Sequence, residues 1–260
     1  MVWRAFKKWR QNRILSRHAL PTHAWASVIA SLPLLNGLSQ DELQRLRELA
    51  TLFLYQKNVM AAVNYQLKDD VRLKIAAQAC LPILNLGLGC YAGWVSVIVY
   101  PNEFVPRRQY MDESGVVHVS RDVMIGESWE RGPVILSATD VERSGNLDGT
   151  NVVIHEFAHK LDMLNRQADG YPPLHRGMSS AIWAKVFTEA YEDFCAKVQA
   201  GEATAIDSYA AENPAEFFAV LSEVFFESPH TLLEQYPAVY QQLARFYLQD
   251  PAARIAARSH

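Results

Sequence analysis

The stretch "VVIHEFAHKLD", residues 152–162, sets His155 and His159 four positions apart with Glu156 directly after the first. On an α-helix, positions i and i+4 share a face about 6 Å apart along the axis, so both imidazoles can point at one atom. Zinc accepts neutral imidazole nitrogens at about 2.0–2.1 Å, which suits that bite. Glu156 falls on a neighbouring face, where it cannot ligate with the pair but can reach a water at an open coordination position. There a carboxylate takes a proton as water attacks a carbonyl, the chemistry of a metallohydrolase. Val152, Val153, Ile154, Phe157, Ala158 and Leu161 make the segment apolar nearly all round, the pattern of a buried helix. Two imidazoles and a carboxylate on such a helix are costly unless something pairs with them, and a metal does so directly. The alternative is a pair of hydrogen-bonded core histidines.

A catalytic zinc site needs a third protein ligand. A glycine turn leading to a third histidine is absent, because Asp162 and Asn165 stand at those places. His175, in the loop-like "YPPLHRG", has no fixed geometry to the pair. The segment "SYAAENPAEFFAVLSEVFF" offers Glu212, Glu216 and Glu223. Asn213 reads as a helix N-cap and Pro214 as the first helical residue, which sets Glu216 in the first turn of an otherwise apolar helix. Glu216 is the favoured ligand. The competing reading is a capping-box variant in which Glu216 reaches back to the backbone of Asn213. Glu223, two turns on, is a candidate to accept the other ring N–H of a ligand histidine. Glu212 reads as solvated, and Asp162 either as a carboxylate behind the ligands or as a helix-surface charge.

These helices need a body. Half of the 260 residues are apolar and a fifth are charged, a globular profile with enough chain for a sizeable core. The net charge of −3 points to no nucleic-acid partner. Cys80, Cys90 and Cys195, odd in number and without CxxC spacing, read as reduced thiols. No run suits a signal peptide, so a cytoplasmic location is expected. The apolar stretch "ACLPILNLGLGCYAGWVSVIVY" is broken by Pro82, Asn85, Gly87, Gly89 and Gly93 into a helix end, a loop and a strand rather than a membrane span.

Residues 1–20 form a basic arm, with Arg4, Lys7, Lys8, Arg10, Arg13 and Arg17 interleaved with Trp3, Phe6 and Trp9. It reads either as an amphipathic segment for anionic lipid or an acidic partner, or as a solvated tail whose aromatics dock on the body. Residues 21–260 read as a single domain. "LSQDELQRLRELATLF" is a helix with Ser39 as cap and Glu42 at the capping-box position. "DDVRLKIAAQACLPIL" is a second, opened by Asp69 or Asp70. "WVSVIVYP", "GVVHVSRD" and "GPVILSATDV" are β-rich runs. After them the helical period returns through "SSAIWAKVFTEAYEDFCAKV", "NPAEFFAVLSEVFFESP" and "PAVYQQLARFYLQ". The fold class is α+β, mainly helical with a small mixed sheet. Residues 133–138 are a candidate edge for holding an extended substrate.

"HEFAHKLD", followed far downstream by "SYAAENPAEFFAVLSE", resembles the Mlc titration factor A family, bacterial zinc peptidases also called DgsA anti-repressors. "KIAAQACLPIL" and "VIVYPNEFV" carry the similarity over most of the chain. The resemblance implies a zincin-like core of the gluzincin type and one zinc per chain on His155, His159 and Glu216. It implies Glu156 as general base and Tyr209, seven residues before Glu216, as a hydroxyl that stabilises the oxyanion. It also implies aminopeptidase-like cleavage of small peptides and binding of the glucose repressor Mlc. The anthrax lethal factor metalloprotease domain is more distantly similar; four residues after its ligand glutamate it has another glutamate, where this chain has Val220. Two functions are therefore expected, a zinc peptidase and a protein that sequesters a repressor through the basic arm and the helical C-terminus.

Overall fold

The computed structural model describes residues 2–62, 64–101, 108–111, 117–120 and 132–256. The outer residues of "GVVHVSRD", the NEFV of "VIVYPNEFV" and the last four residues of the chain lie outside it, as do the side chains of Trp3 and Arg4.

Helix α1 (Val2–Arg17) leads to α2 (Thr22–Ala30) and α3 (Gln40–Gln56). The capping box at the start of α3 is closed from both sides, with Glu42 N donating to Ser39 Oγ and Ser39 N donating to Glu42 Oε2. Leu46, Leu49, Ala50 and Phe53 face the core, as the period of the sequence predicts. Strand β1 (Asn58–Ala61) follows, then α4 (Asp69–Cys80), whose residues from Ile75 to Cys80 are all buried. Lys68 is the N-cap of α4 and makes no side-chain bond there, while Asp69 and Asp70 occupy the first turn and face the positive end of the helix dipole.

Strand β2 (Ser96–Tyr100), the ribbon of β3 (Arg108–Met111) and β4 (Val117–Ser120), and strand β5 (Val134–Ser137) complete the β structure. Strands β1, β2 and β5 form a wholly parallel sheet in that order, with Val97 paired to Val59 on one side and Val134 on the other. Parallel pairing requires crossovers, and α4 supplies the one between β1 and β2. Among the described strands, antiparallel pairing is confined to the β3–β4 ribbon. The run "GPVILSATDV" is strand only to Ser137, where the chain turns into α5 (Ala138–Arg143). Ser137 Oγ accepts from Asp140 N and caps that helix, a Ser-x-x-Asp signature that the β-rich reading passed over.

The remaining helices are α6 (Val152–Asp162), α7 (Ser180–Gln199), α8 (Pro214–Glu227), α9 (Pro229–Gln235), α10 (Pro237–Tyr247) and α11 (Pro251–Ala256). The apolar stretch 79–100 resolves into the end of α4, a 3₁₀ turn at Leu88–Tyr91 and β2. Among the described residues no helix is long and apolar enough to cross a membrane. Helix α6 is wedged between two aromatic clusters. Phe157 packs with Phe53, Tyr91 and Trp94 on one side, while Phe217 and Phe218 of α8 pack with Phe187 and, through Phe218, Trp183 and Phe246 on the other. Val239, Tyr240, Leu243, Phe246 and Tyr247 bury one side of α10 against the core, while Gln241 and Arg245 on its other side are exposed.

Candidate metal centre

Both helices that carry the chemistry are started by asparagine. Asn151 Oδ1 accepts from Ile154 N at 2.9 Å and opens α6, and Asn213 Oδ1 accepts from Ala215 N and Glu216 N at 3.0 Å and opens α8. Pro214 at the first helical position costs α8 no hydrogen bond. The carboxylate of Glu216 does not turn back to the Asn213 backbone. It points at α6, with Oε2 3.0 Å from His155 Nε2 and 3.4 Å from His159 Nε2.

The two Nε2 atoms are 3.2 Å apart. A tetrahedron of bonds near 2.0–2.1 Å has edges of about 3.3 Å, so the three donor atoms already have the spacing of one face of such a site. Their environment fits a cation as well. Among the described residues, Glu216 Oε2 and His159 Nδ1 are buried without a well-directed hydrogen bond. Burial resists charge on His155, but Glu223, Glu216 and Glu156 outweigh it and hold the ring well above the usual histidine range. Burial likewise works against ionised Glu216, yet the two imidazoles hold its carboxyl well below the usual carboxylate range. A buried pair of imidazoles ringed by carboxylates is a place where positive charge is stabilised.

Behind His155 stands Glu223, whose Oε1 is 2.7 Å from His155 Nδ1 and whose Oε2 accepts from the backbone N–H of Asn151. With Nδ1 turned to Glu223, Nε2 is the ring nitrogen that faces Glu216. Val220, one turn after Glu216, is buried among apolar neighbours, and the carboxylate comes instead from two turns on. Asp162 is fully buried, which removes the surface-charge reading. Its Oδ2 accepts from Gly170 N at 2.8 Å, and burial pushes the carboxyl up to about 7.

Glu156 is half-buried, one position past His155 on α6. Tyr209 sits on a 3₁₀ turn, Ser208–Ala211, ahead of α8, with its ring centroid 6.2 Å from that of His155. The two flank the histidines from different elements. His175 is elsewhere, stacked on Phe246 and bonded to its carbonyl, and Glu212 is exposed.

Sequence reasoning missed the layer beneath. Asn151 Nδ2 donates to Gln78 Oε1 of α4 and to Glu227 Oε1 of α8. Glu227 also accepts from Gly145 N and Leu147 N, so one buried carboxylate holds the loop before α6 to the end of α8. Burial raises its carboxyl to about 7 against the pull of these donors. The clue was available: Glu227 lies eleven residues after Glu216, a helical period that returns to the same face.

The model of the glucose-regulated metallo-peptidase M90 family matches residues 6–248. The chain belongs to that family. Relatives of this M90 protein include Mlc titration factor A of Serratia proteamaculans, 40% identical over 234 residues, which are 89% of this chain and 88% of that protein. The protein of the same name from Cronobacter sakazakii is 38% identical over 252 residues, covering 96% and 94%. That of Pectobacterium atrosepticum is 39% identical over 253 residues, covering 95% and 94%. Family membership makes the chain a metallopeptidase-family protein, and the name of these relatives is that of a regulatory factor. Within it, His155, His159 and Glu216 form the candidate metal-holding group, their donor atoms all within 4.8 Å of one another.

Proposed function

We propose that this M90 chain is a zinc-dependent peptidase of the HExxH-plus-glutamate, gluzincin type, with one zinc ion held by His155, His159 and Glu216. The observation that carries the reading is the convergence of His155 Nε2, His159 Nε2 and Glu216 Oε2 at 3.0–3.4 Å with no closer use for Glu216 Oε2. When bound, zinc supplies a Lewis acid for the scissile carbonyl and lowers the pKa of a water in its open position. Glu156 takes the proton of the attacking water and passes it to the leaving amine. The Tyr209 hydroxyl donates a hydrogen bond to the oxygen on which negative charge develops. Glu223 fixes the tautomer and orientation of His155. Strand β5 is an edge of the sheet among the described strands, and Lys160 of α6 donates to Gly132 O just before it. An extended peptide adds along that edge through main-chain bonds.

The preferred substrates are small peptides cleaved from a free amino end, by a cytoplasmic protein whose residues 21–260 act as one domain beside the arm of residues 1–20. The test is metal content and turnover of amino-acyl chromogenic substrates in wild type, Glu156→Gln and Glu216→Ala. Glu156→Gln is expected to keep about one zinc per chain and lose 10²–10⁴-fold in turnover, the usual contribution of general-base catalysis. Glu216→Ala is expected to lose the zinc. Full activity in Glu156→Gln, or no zinc in reconstituted wild type, refutes the mechanism.

The name of the relatives supports a second role, binding of the repressor Mlc. Binding needs a surface rather than chemistry, so Glu156→Gln should hold Mlc with unchanged affinity. A variant that loses binding with turnover would make Mlc a substrate-like partner of the candidate metal centre.

A further inference from the structure

The metal centre takes nothing from α1, yet the charge of the chain's first forty positions is all of one sign. Six of the 25 Lys and Arg residues, and none of the 28 Asp and Glu, fall in the first forty positions. The other 220 residues therefore carry nineteen basic against 28 acidic side chains, a net −9 beside the +6 of the arm.

Helix α1 is fastened to the body by its C-terminal half, where Ile14 is buried and Leu15 packs on the core. From Phe6 to Arg10 every side chain is exposed, so this part of the helix stands clear on all its faces. Two of its aromatics, Phe6 and Trp9, do not dock on the body. Phe6 and Trp9 are 59% and 54% exposed, and their rings stack with centroids 5.7 Å apart. The Arg13 guanidinium lies 5.5 Å from the Trp9 ring centroid, on the stripe formed by positions 6, 9 and 13. Lys7, Arg10 and, on the opposite side, Lys8 surround that stripe.

We propose that α1 is a reversible anchor for an anionic lipid surface. The Phe6–Trp9 pair enters the boundary between headgroups and acyl chains, and Lys7, Lys8, Arg10 and Arg13 reach the lipid phosphates. Exposed aromatics flanked by long basic side chains partition to that boundary, because the rings leave water while the stems let the charges return to the headgroups. An anionic surface attracts the arm and repels the acidic remainder, which confines contact to α1 and leaves the body facing solvent. A folded partner would engage one stripe. An interface that closes around the helix uses the rings and also the cations on both flanks. The inference is independent of the peptidase reading, since it involves no residue of the metal centre.

The test is flotation of the purified chain with vesicles of phosphatidylcholine alone and with vesicles holding about 30% phosphatidylglycerol. Binding is expected on the anionic vesicles, weak or none on the neutral ones, and release in about 0.5 M salt. Arg10→Glu with Arg13→Glu, and separately Phe6→Ser with Trp9→Ser, should each weaken partition about tenfold or more. These side chains are exposed, so circular dichroism and melting temperature should not change. The proposal fails if anionic vesicles do not bind, if neutral vesicles bind equally, or if both double variants bind like wild type. It also fails if a single-stranded oligonucleotide displaces the vesicles at lower concentration, or if α1 instead drives dimerisation that the same variants abolish. Those outcomes would give the surface to a nucleic acid or to a second copy.

Discussion

The candidate metal centre has two ends, and each is closed by a buried carboxylate that accepts a backbone N–H. At the His155 end, Glu223 bonds the ring and the N–H of Asn151 together. At the His159 end, Asp162 accepts from the N–H of Gly170, while His159 Nδ1 has no hydrogen-bond partner among the described residues. The first carboxylate orients a histidine. The second steers a loop, and that loop meets α8: Gly170 faces the carbonyl of Pro214, at the start of the helix that carries Glu216. A hydrogen bond thus orients an imidazole at one end, while at the other a loop is tied to the neighbouring helix.

The His159 end is the place to look for the largest loss of stability. A Cβ on Gly170 would fall 2.4 Å from Pro214 O, and the residue holds φ +75°. Gly170→Ala therefore forces the loop away from α8 and strains its own backbone, at a cost of about 3–4 kcal/mol. Urea unfolding in chelator isolates this from metal binding. An unchanged midpoint would mean that the loop does not tie α6 to α8.

At the His155 end the expected loss is in metal affinity. Glu223→Gln places an amide where a carboxylate serves two donors, so either His155 Nδ1 or Asn151 N loses its acceptor. Zinc affinity should fall about 10–100-fold, the usual effect of removing a carboxylate behind a ligand histidine. Asp162→Asn keeps an acceptor for Gly170 N and should change affinity less than about threefold. Competition against a chromophoric chelator separates the two. Equal losses would erase the distinction between the ends.

Glu227 sharpens the comparison through pH. Burial raises its carboxyl to about 7 from an ordinary 4.5, so the folded state binds the proton more tightly than the unfolded chain. Its contribution is then fully present below about pH 4.5 and is lost as pH rises through about 7. In chelator, wild-type stability should fall by roughly 2 kcal/mol more than that of Glu227→Gln between pH 5 and 7.5. Parallel curves would show that the donors from Gly145, Leu147 and Asn151 keep Glu227 ionised throughout.

The parts of this site that were legible in the sequence share one property, which is that a single helix carries the pattern. The spacing of His155 and His159, the position of Glu216 after Asn213-Pro214, and Glu223 two turns on all follow from 3.6-residue periodicity. What was not legible depends on meetings between elements. Asn151 caps α6 while Gln78 and Glu227 belong to α4 and α8, and no spacing within one segment announces that they touch. Gly170 is one glycine among twelve until its φ and the nearness of Pro214, 44 positions on, are known. Strand β1 is four residues, Asn58–Ala61, too short for alternation to show, and its strand character comes from pairing with β2. The exposure of Phe6 and Trp9 was open in the sequence for a similar reason, since docking is decided by what lies opposite.

The smallest effect concerns the two capping asparagines, which look alike in sequence and differ in the fold. Asn213 is half-buried and its side chain accepts from the first turn of α8. Asn151 is fully buried, and beyond capping α6 its amide donates to Gln78 and Glu227. Serine preserves a cap but supplies no such pair of donors. Asn213→Ser should therefore cost at most about 0.5 kcal/mol, within the range of interchange among good capping residues. Asn151→Ser leaves two buried acceptors short of a donor and should cost several times more. Thermal melts of the two single variants in chelator decide it. If they lose the same amount, the buried amide of Asn151 serves only as a cap, and the wiring from α4 through α6 to α8 contributes nothing to holding His155 in place.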